Sequence, residues 1–432
     1  KLSDAGGDDI GGGKNEEAVE EMIEEIEKQA EELKKQGVVE IDDKPIEEYM
    51  DSLIQEIKEE SKPPPKPHEI HGELAEIIQE MELDSSEANV DMKDVRGTAI
   101  ELNGEICFDA GEAAVESLNF KFNNSKPLYI LSNSKTHSSN KIFLDKLFSD
   151  EFEMNLSNLH KVDLYFARAN IFHRQSNFQE ASNYLYQANK LKLSIYPSDA
   201  KRYVRVVNKI LSFSNKIDYS SINNNECDCI FIVGMPRSGS TLIESIISMN
   251  NQVVDLGEAL FLESAFVDSM VTQDINNLYK INRLYCEKRN RIIAYKNPDC
   301  TITTDKQLYN FAYIPIIASQ FPDAKIIHCI RNPLDNILSI FRAHFAKESR
   351  YSSSLVDCVE VYALQDRIMN TYKAKFNNIF TLNYDELVLS PESEIRRLIE
   401  WLGWTWQDIY LNPHFNKRTV ATASSVSVRS PI

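Results

Sequence analysis

"GMPRSGSTLIES", residues 234–245, stands between a short apolar run at 230–233 and the start of an apolar-periodic helix. The run has the character of a buried strand. A small-residue turn at a helix N-terminus presents free backbone N–H groups and the positive end of the helix dipole, which together suit a phosphate-like anion. Gly234 and Gly239 allow close backbone approach, Ser238, Ser240 and Thr241 add hydroxyl donors, and Arg237 adds a fixed charge. Loops that hold ATP or GTP end in Gly-Lys-Ser/Thr. Here no lysine is present, so the usual handle for a nucleotide's terminal phosphate is gone. A chance Ser/Gly turn is the competing reading, and the pattern G-x-P-R-S-G-[ST]-T behind a strand makes it the weaker one.

Composition narrows the possibilities. The chain has 432 residues, 42% of them hydrophobic, with 20 Phe, 18 Tyr and 14 Gly, enough for two or three domains with ordinary cores. A net charge of −19 argues against a nucleic-acid partner. The charge is uneven: residues 1–126 hold 13 basic and 35 acidic side chains, the remainder 34 and 31. The second part is therefore slightly basic (34 − 31 = +3), as suits a protein part handling an anionic ligand. Seven scattered cysteines, including Cys227-x-Cys229, form no pair of pairs at zinc spacing, and an odd count fits reduced thiols. No run of about 18 apolar residues suggests a membrane span. The expected location is cytoplasmic. The chain begins with Lys1, which leaves a removed targeting segment open.

Three regions follow. Residues 1–140 form an acidic region, partly disordered or helical. Its first 15 residues are rich in Gly and Asp, and apolar stripes at 19–33, 46–57 and 74–81 suggest narrow-faced helices. "KPPPKP" at 62–67 is a stiff spacer, and "GTAIELNGEICF" reads as a hairpin turning at Asn103-Gly104. Such helices call for a protein partner, and the alternative is a solvated acidic tail. Residues 141–215 read as a helical segment. Ala169, Phe172, Phe178, Ala181, Leu185 and Ala188, flanking a turn at 175–177, fit a tetratricopeptide repeat, with 141–160 as a degenerate neighbour. An ordinary helical hairpin is the alternative. Residues 226–432 alternate strands, at 230–233, 292–295, 325–330 and 379–382, with helical patterns. That predicts an α/β domain with a P-loop-like parallel sheet.

The loop then finds a partner. "KIIHCIRNPLDNILSIF" puts Arg331 at a strand end and Ser339 on the next helix, about 90 residues after the loop. In this pairing the sequence resembles the sulfotransferases that use 3′-phosphoadenosine-5′-phosphosulfate (PAPS). "PRSGST" is similar to their 5′-phosphosulfate loop, and Arg-x7-Ser to their 3′-phosphate clasp. The resemblance implies cofactor contacts from Pro236, Arg237, Ser238, Gly239, Ser240, Thr241, Arg331 and Ser339. Resemblance to tyrosylprotein sulfotransferases goes further. "YKNPD" looks like their Lys-x-Pro segment and gives Lys296. "LNYDELVLSPE" gives Tyr384 near the adenosine, and "ATASSVSVRSPI" gives Ser424 at the sulfuryl centre. "LGEALFLE" stands where that family has its acceptor-side glutamate. A helical repeat ahead of such a domain is similar to the bacterial tetratricopeptide-linked enzymes. The likeness covers about 143–432. It departs at Gly257-Glu258-Ala259, where the family has Gly-Glu-Glu with the second Glu as base, so Glu258 is the local candidate. No Asn-Phe follows closely behind Pro298. The chain stops at Ile432, where the family continues into a final helix.

The resemblance implies transfer of a sulfuryl group to an acceptor hydroxyl, with a peptide or protein as one acceptor class. Arg237 and the loop amides would hold the 5′-phosphosulfate, Lys296 and Ser424 the bridging oxygen, and Glu258 the acceptor proton. No metal is called for. Solvated or structural roles compete for Glu258, Lys296 and Ser424, and His137, His160, His173, His328 and His344 have no partner at a telling spacing. A helical-repeat scaffold with an inactive domain and a P-loop nucleotide kinase are the rival functions.

Overall fold

A computed structural model describes residues 125–133, 141–216, 228–271, 281–345 and 349–416, with two-residue strands at 40–41, 44–45, 101–102 and 105–106. The chain divides into two compact units, 1–75 and 76–432. In the first, Glu40–Ile41 pairs antiparallel with Lys44–Pro45. In the second, Glu101–Leu102 pairs antiparallel with Glu105–Ile106 across Asn103-Gly104, the hairpin register expected from that dipeptide. The helices expected at 19–33, 46–57 and 74–81 lie outside the described residues.

Among the described residues, six helices precede the sheet: α1 (Lys126–Asn133), α2 (Lys141–Leu147), α3 (Asp150–Met154), α4 (Asn158–Arg174), α5 (Phe178–Ile195) and α6 (Ala200–Lys216). Ser157 and Asn177 cap α4 and α5 by accepting the backbone N–H of His160 and Glu180. Helix α4 has two apolar faces. Leu164, Ala167 and Ile171 pack on Leu128, Leu131, Phe143 and Leu147 of α1 and α2, so this core begins upstream of residue 141. Val162, Phe166 and Ala169 pack on Leu185 and Ala188 of α5. Small residues stand at the contact, as expected. Phe178 departs from expectation: it opens α5 at the surface, 62% exposed, against the His173 ring.

The sheet has five strands, β1 (Cys229–Gly234), β2 (Val253–Asp255), β3 (Ile302–Asp305), β4 (Lys325–Ile330) and β5 (Ile379–Asn383). Their order is β2-β3-β1-β4-β5 and every pairing is parallel. Helices in chain order are α7 (Ser240–Ile247), α8 (Phe261–Val271), α9 (Ile281–Lys296), α10 (Ile314–Gln320), α11 (Pro333–Arg342), α12 (Leu355–Lys373), α13 (Tyr384–Leu389) and α14 (Pro391–Leu402). One face of the sheet is sealed by Ile243, Ile246 and Ile247 of α7 with Ile395, Leu398 and Ile399 of α14. Neighbours β1 and β4 send their outgoing connections toward opposite edges, so a crevice opens over their C-terminal ends.

One expected strand is corrected. Residues 292–295 belong to helix α9, where Ile293 is buried and Tyr295 is 88% exposed. A short apolar run does not distinguish a buried helix face from a strand. Two strands were missed, the three-residue β2 and β3, and β3 reads "ITTD". Its Thr303, Thr304 and Asp305 are fully buried, and side chains satisfy them: Arg289 Nε donates to Thr303 Oγ1 at 2.9 Å and Tyr285 Oη to Asp305 Oδ2 at 3.0 Å. A buried polar strand carries no hydrophobic signature.

Candidate functional site

The loop between β1 and α7 is shaped by two close approaches. Gly234 ends β1 at φ +144°, where a Cβ would stand 2.5 Å from the Cys329 carbonyl oxygen on β4. Gly239 caps α7 at φ +89°, and a Cβ there would run into the Tyr384 ring. Arg237 holds a positive φ of 68°, unusual outside glycine. Ser238 Oγ donates to the Met235 carbonyl at 2.7 Å.

The second half of the signature closes on this loop. Arg331 follows β4, and its Nη1 donates to the Arg237 carbonyl at 3.2 Å. Arg237 Nε donates to Ser339 Oγ at 3.3 Å, and Asn336 Nδ2 to the Pro236 carbonyl at 2.9 Å. Asn332 caps α11 by accepting from the N–H of Leu334 and Asp335, while Asp385 Oδ2 accepts the Asn332 N–H at 2.7 Å. Tyr384, which opens α13 directly after β5, lies under the Arg331 guanidinium at 5.0 Å, a cation–π distance. The structure thus gathers Pro236, Arg237, Ser238, Gly239, Arg331, Ser339 and Tyr384, with Ser240 and Thr241 buried in the first turn of α7.

The electrostatics of this gathering suit an anion. Burial, and then the charge of Arg331, push the Arg237 guanidinium down from its ordinary pKa, and both effects would be relieved by an anion. Arg331 Nε is buried with no hydrogen-bond partner among the described residues. An orphaned buried guanidinium donor is what a phosphate or sulfate oxygen satisfies.

Beside it, Glu258 is reached by a lysine the sequence did not single out. Lys306 follows β3 and is 1% exposed. Its Nζ donates to Glu258 Oε1 at 2.6 Å, with Glu258 51% exposed. Two backbone bonds set the approach, Leu256 N–H to the Thr304 carbonyl and Lys306 N–H to the Gly257 carbonyl, both 2.8 Å. Lys296, the lysine expected here, ends α9 at 44% exposure, donates to the Asp255 carbonyl at 2.8 Å and pairs with the Asp255 carboxylate at 3.5 Å. Geometry therefore brings Lys306, not Lys296, to Glu258. A signal existed: the Asn-Phe absent behind Pro298 stands behind Lys306 as Asn310-Phe311. Asp305 shapes this turn, accepting from the Gln307 N–H at 3.0 Å and Asn310 Nδ2 at 3.2 Å. Burial pushes its carboxyl up to about 7. Ser424 lies outside the described residues. Among those residues, no group of three or more His, Cys, Asp or Glu is placed to hold a metal, and no helix is long and apolar enough to cross a membrane.

A parallel α/β domain with an arginine-rich anion loop over its strand ends is the class that fold and site define. Comparison makes this specific: residues 229–408 match the model of the Sulfotransferase family. That stretch is similar to a sulfotransferase family domain. An uncharacterized protein of Aquifex aeolicus (strain VF5) is 30% identical over 224 residues, 47% of this chain and 29% of that protein. Protein-tyrosine sulfotransferase 1 of Danio rerio is 23% identical, over 48% of this chain and 61% of its own length. The protein-tyrosine sulfotransferase of Drosophila melanogaster is 24% identical, over 48% and 44%. The chain thus spans less than two thirds of these curated relatives. Among solved structures, the sulfotransferase domain of the Synechococcus PCC 7002 olefin synthase aligns at TM-score 0.34 and 18% identity, covering 49% of this chain and 90% of that one. Sulfotransferase STF1 of Mycobacterium tuberculosis H37Rv aligns at 0.33 and 12%, covering 75% and 92%.

Proposed function

We propose that the protein transfers a sulfuryl group from PAPS to an acceptor hydroxyl. The observation that carries this is the meeting of the two signature halves: Arg237 on Ser339, Arg331 on the Arg237 carbonyl, and an unsatisfied Arg331 Nε. Bound PAPS would supply the sulfuryl group and a bisphosphate leaving group. Arg237, Ser240, Thr241 and the loop amides from Pro236 to Gly239 suit its 5′ end. Arg331 and Ser339 suit its 3′-phosphate, and Tyr384 offers a ring face for the adenosine.

The chain's own residues do the rest. Lys306 places a buried ammonium where negative charge gathers, taking the role expected of Lys296, with Ser424 as its companion from the C-terminal segment. Glu258 accepts the acceptor's proton. Its partly exposed carboxylate can reach an incoming hydroxyl while Lys306 holds its other side. Protein-tyrosine sulfotransferases among the relatives favour a peptide or protein acceptor, reached from the exposed side of Glu258. The preceding helices are read as a tetratricopeptide-like segment of 141–215, extended upstream by α1, ahead of a catalytic domain of 226–432.

Thermal shift with two ligands tests the reading. Adenosine 3′,5′-bisphosphate should raise the Tm and ATP-magnesium should not. The reverse result would make the domain a nucleotide kinase.

A further inference from the structure

Helix α11 carries Ser339, and its far end, besides packing Ile340 against Tyr351, Cys358 and Val361 of the sheet domain, is held by the helical hairpin. The last carbonyls of any helix lack partners within it. Here Asn189 Nδ2 of α5 donates to the Phe341 carbonyl at 3.0 Å, and Lys192 Nζ, one turn on, donates to the Phe345 carbonyl at 2.7 Å. Between these, His344 Nε2 donates to Asp163 Oδ1 of α4 at 2.7 Å, and Asp163 Oδ2 also accepts from Ser125 Oγ at 3.1 Å. Asn189, Lys192 and Asp163 are 2%, 5% and 8% exposed. Phe341 fills the seam of the hairpin among Val162, Phe166, Ala169, Leu185 and Ala188, and His344 stacks on Phe166 at 4.6 Å.

We infer that Asp163, Asn189 and Lys192 are positioning residues for the cofactor clasp, acting through α11. This rests on the sulfotransferase reading of the site. An interface that only needed to stick would be served by apolar contacts, because a buried ammonium and carboxylate lose hydration on burial. Buried polar networks instead impose one geometry. Phe341 is two residues from Ser339, a rise of about 3 Å along the helix. A displaced C-terminal turn therefore moves Ser339 relative to Arg237 and Arg331, while Asn336 still pins the N-terminal half to the loop.

Calorimetric titration of the full chain with adenosine 3′,5′-bisphosphate and adenosine 5′-phosphate tests this. Lys192→Met should weaken the bisphosphate about 5-fold or more, a coupling ordinary within one network. The monophosphate, which lacks the 3′-phosphate, should change less than about 2-fold, within the tolerance for independent groups. Lys192→Arg, which can still donate to Phe345, should restore most of the affinity. In a Ser339→Ala background, Lys192→Met should add almost nothing. Asn189→Leu repeats the test should Lys192→Met fail to fold. Equal weakening of both ligands, or full additivity with Ser339→Ala, overturns the inference alone. A wild-type chain binding neither nucleotide overturns the site reading and the inference together.

Discussion

Arg331 and Lys306 reach the site in different ways, and different measurements isolate them. Arg331 leaves β4 as a fork with one buried nitrogen unsatisfied. Arg331→Ala should weaken adenosine 3′,5′-bisphosphate by about 1.5–3 kcal/mol, the size of a lost charged hydrogen bond. Adenosine 5′-phosphate should lose much less, and equal losses in calorimetry would sink the assignment to the 3′-phosphate. On the proposed reading, Lys306 and Glu258 serve the transfer step. Lys306→Met and Glu258→Gln should each keep nucleotide affinity and lower the transfer rate by about 10²–10⁴. Lys296→Ala should leave the rate nearly unchanged, because that ammonium is engaged with Asp255. A collapse of the rate in Lys296→Ala alone would restore the lysine that the sequence pointed to.

Two elements set the frame for these side chains, the turn into α7 and strand β4. At Gly239 a positive φ and the Tyr384 ring both exclude a side chain. Gly239→Ala should cost about 1–3 kcal/mol of stability, as strained backbone positions do. Tyr384→Ala should recover part of that loss in denaturant titration, since it removes the obstruction but not the strain. Strand β4 buries His328, whose Nε2 meets Gln365 Nε2 at 2.6 Å while Nδ1 has no partner among the described residues. Burial drives its pKa down to about 3, against an ordinary value of about 6.5. Below pH about 6.5 the unfolded chain takes up a proton that the folded chain refuses. This stability is therefore complete above about 6.5 and is lost as pH falls toward about 3. Asp305, raised to about 7, works in the opposite sense: the folded chain keeps its proton above the ordinary carboxyl value, and that advantage fades as pH rises through about 7. Whole-chain stability hence hides both effects, and a variant is needed to expose one. His328→Asn does not titrate. The wild-type advantage over it should shrink by about 2 kcal/mol between pH about 6.5 and about 5, at about 1.36 kcal/mol per unit. A gap independent of pH would show that His328 ionises normally.

The molecule as a whole joins an acidic N-terminal region to a sheet domain through a helical hairpin. The hairpin's inner seam is occupied by Phe341 of the sheet domain itself, so a peptide acceptor would need a different face of the helices. Residues 1–75 form a unit apart from 76–432, and the Pro-rich stretch at 62–67 lies just before that division. We expect limited proteolysis near Lys62 to Lys66 to release an acidic fragment. The remainder should still bind adenosine 3′,5′-bisphosphate by thermal shift. Precipitation, or loss of binding, would make the N-terminal region part of the catalytic fold.

Much of this was legible because it is local. A buried parallel strand is an apolar run, so β1, β4 and β5 stand out in the sequence. An anion loop needs glycines and hydroxyls in a fixed order, and Arg-x7-Ser spans one strand end and the next helix. The alternation of caps and apolar faces in α4 and α5 is equally local. Strand β3 was hidden because its buried residues are threonines and an aspartate whose partners, Arg289, Tyr285 and Asn310, come from other elements. Lys306 was hidden with it. His344 shows no partner by spacing, since Asp163 lies 181 residues away in the chain. Composition and order determined the class of domain and the anion it suits. Folding decided which lysine meets Glu258, and that the hairpin grips the helix of Ser339. Those choices depend on the order of strands in the sheet and on which helix ends meet, and no short-range pattern encodes either.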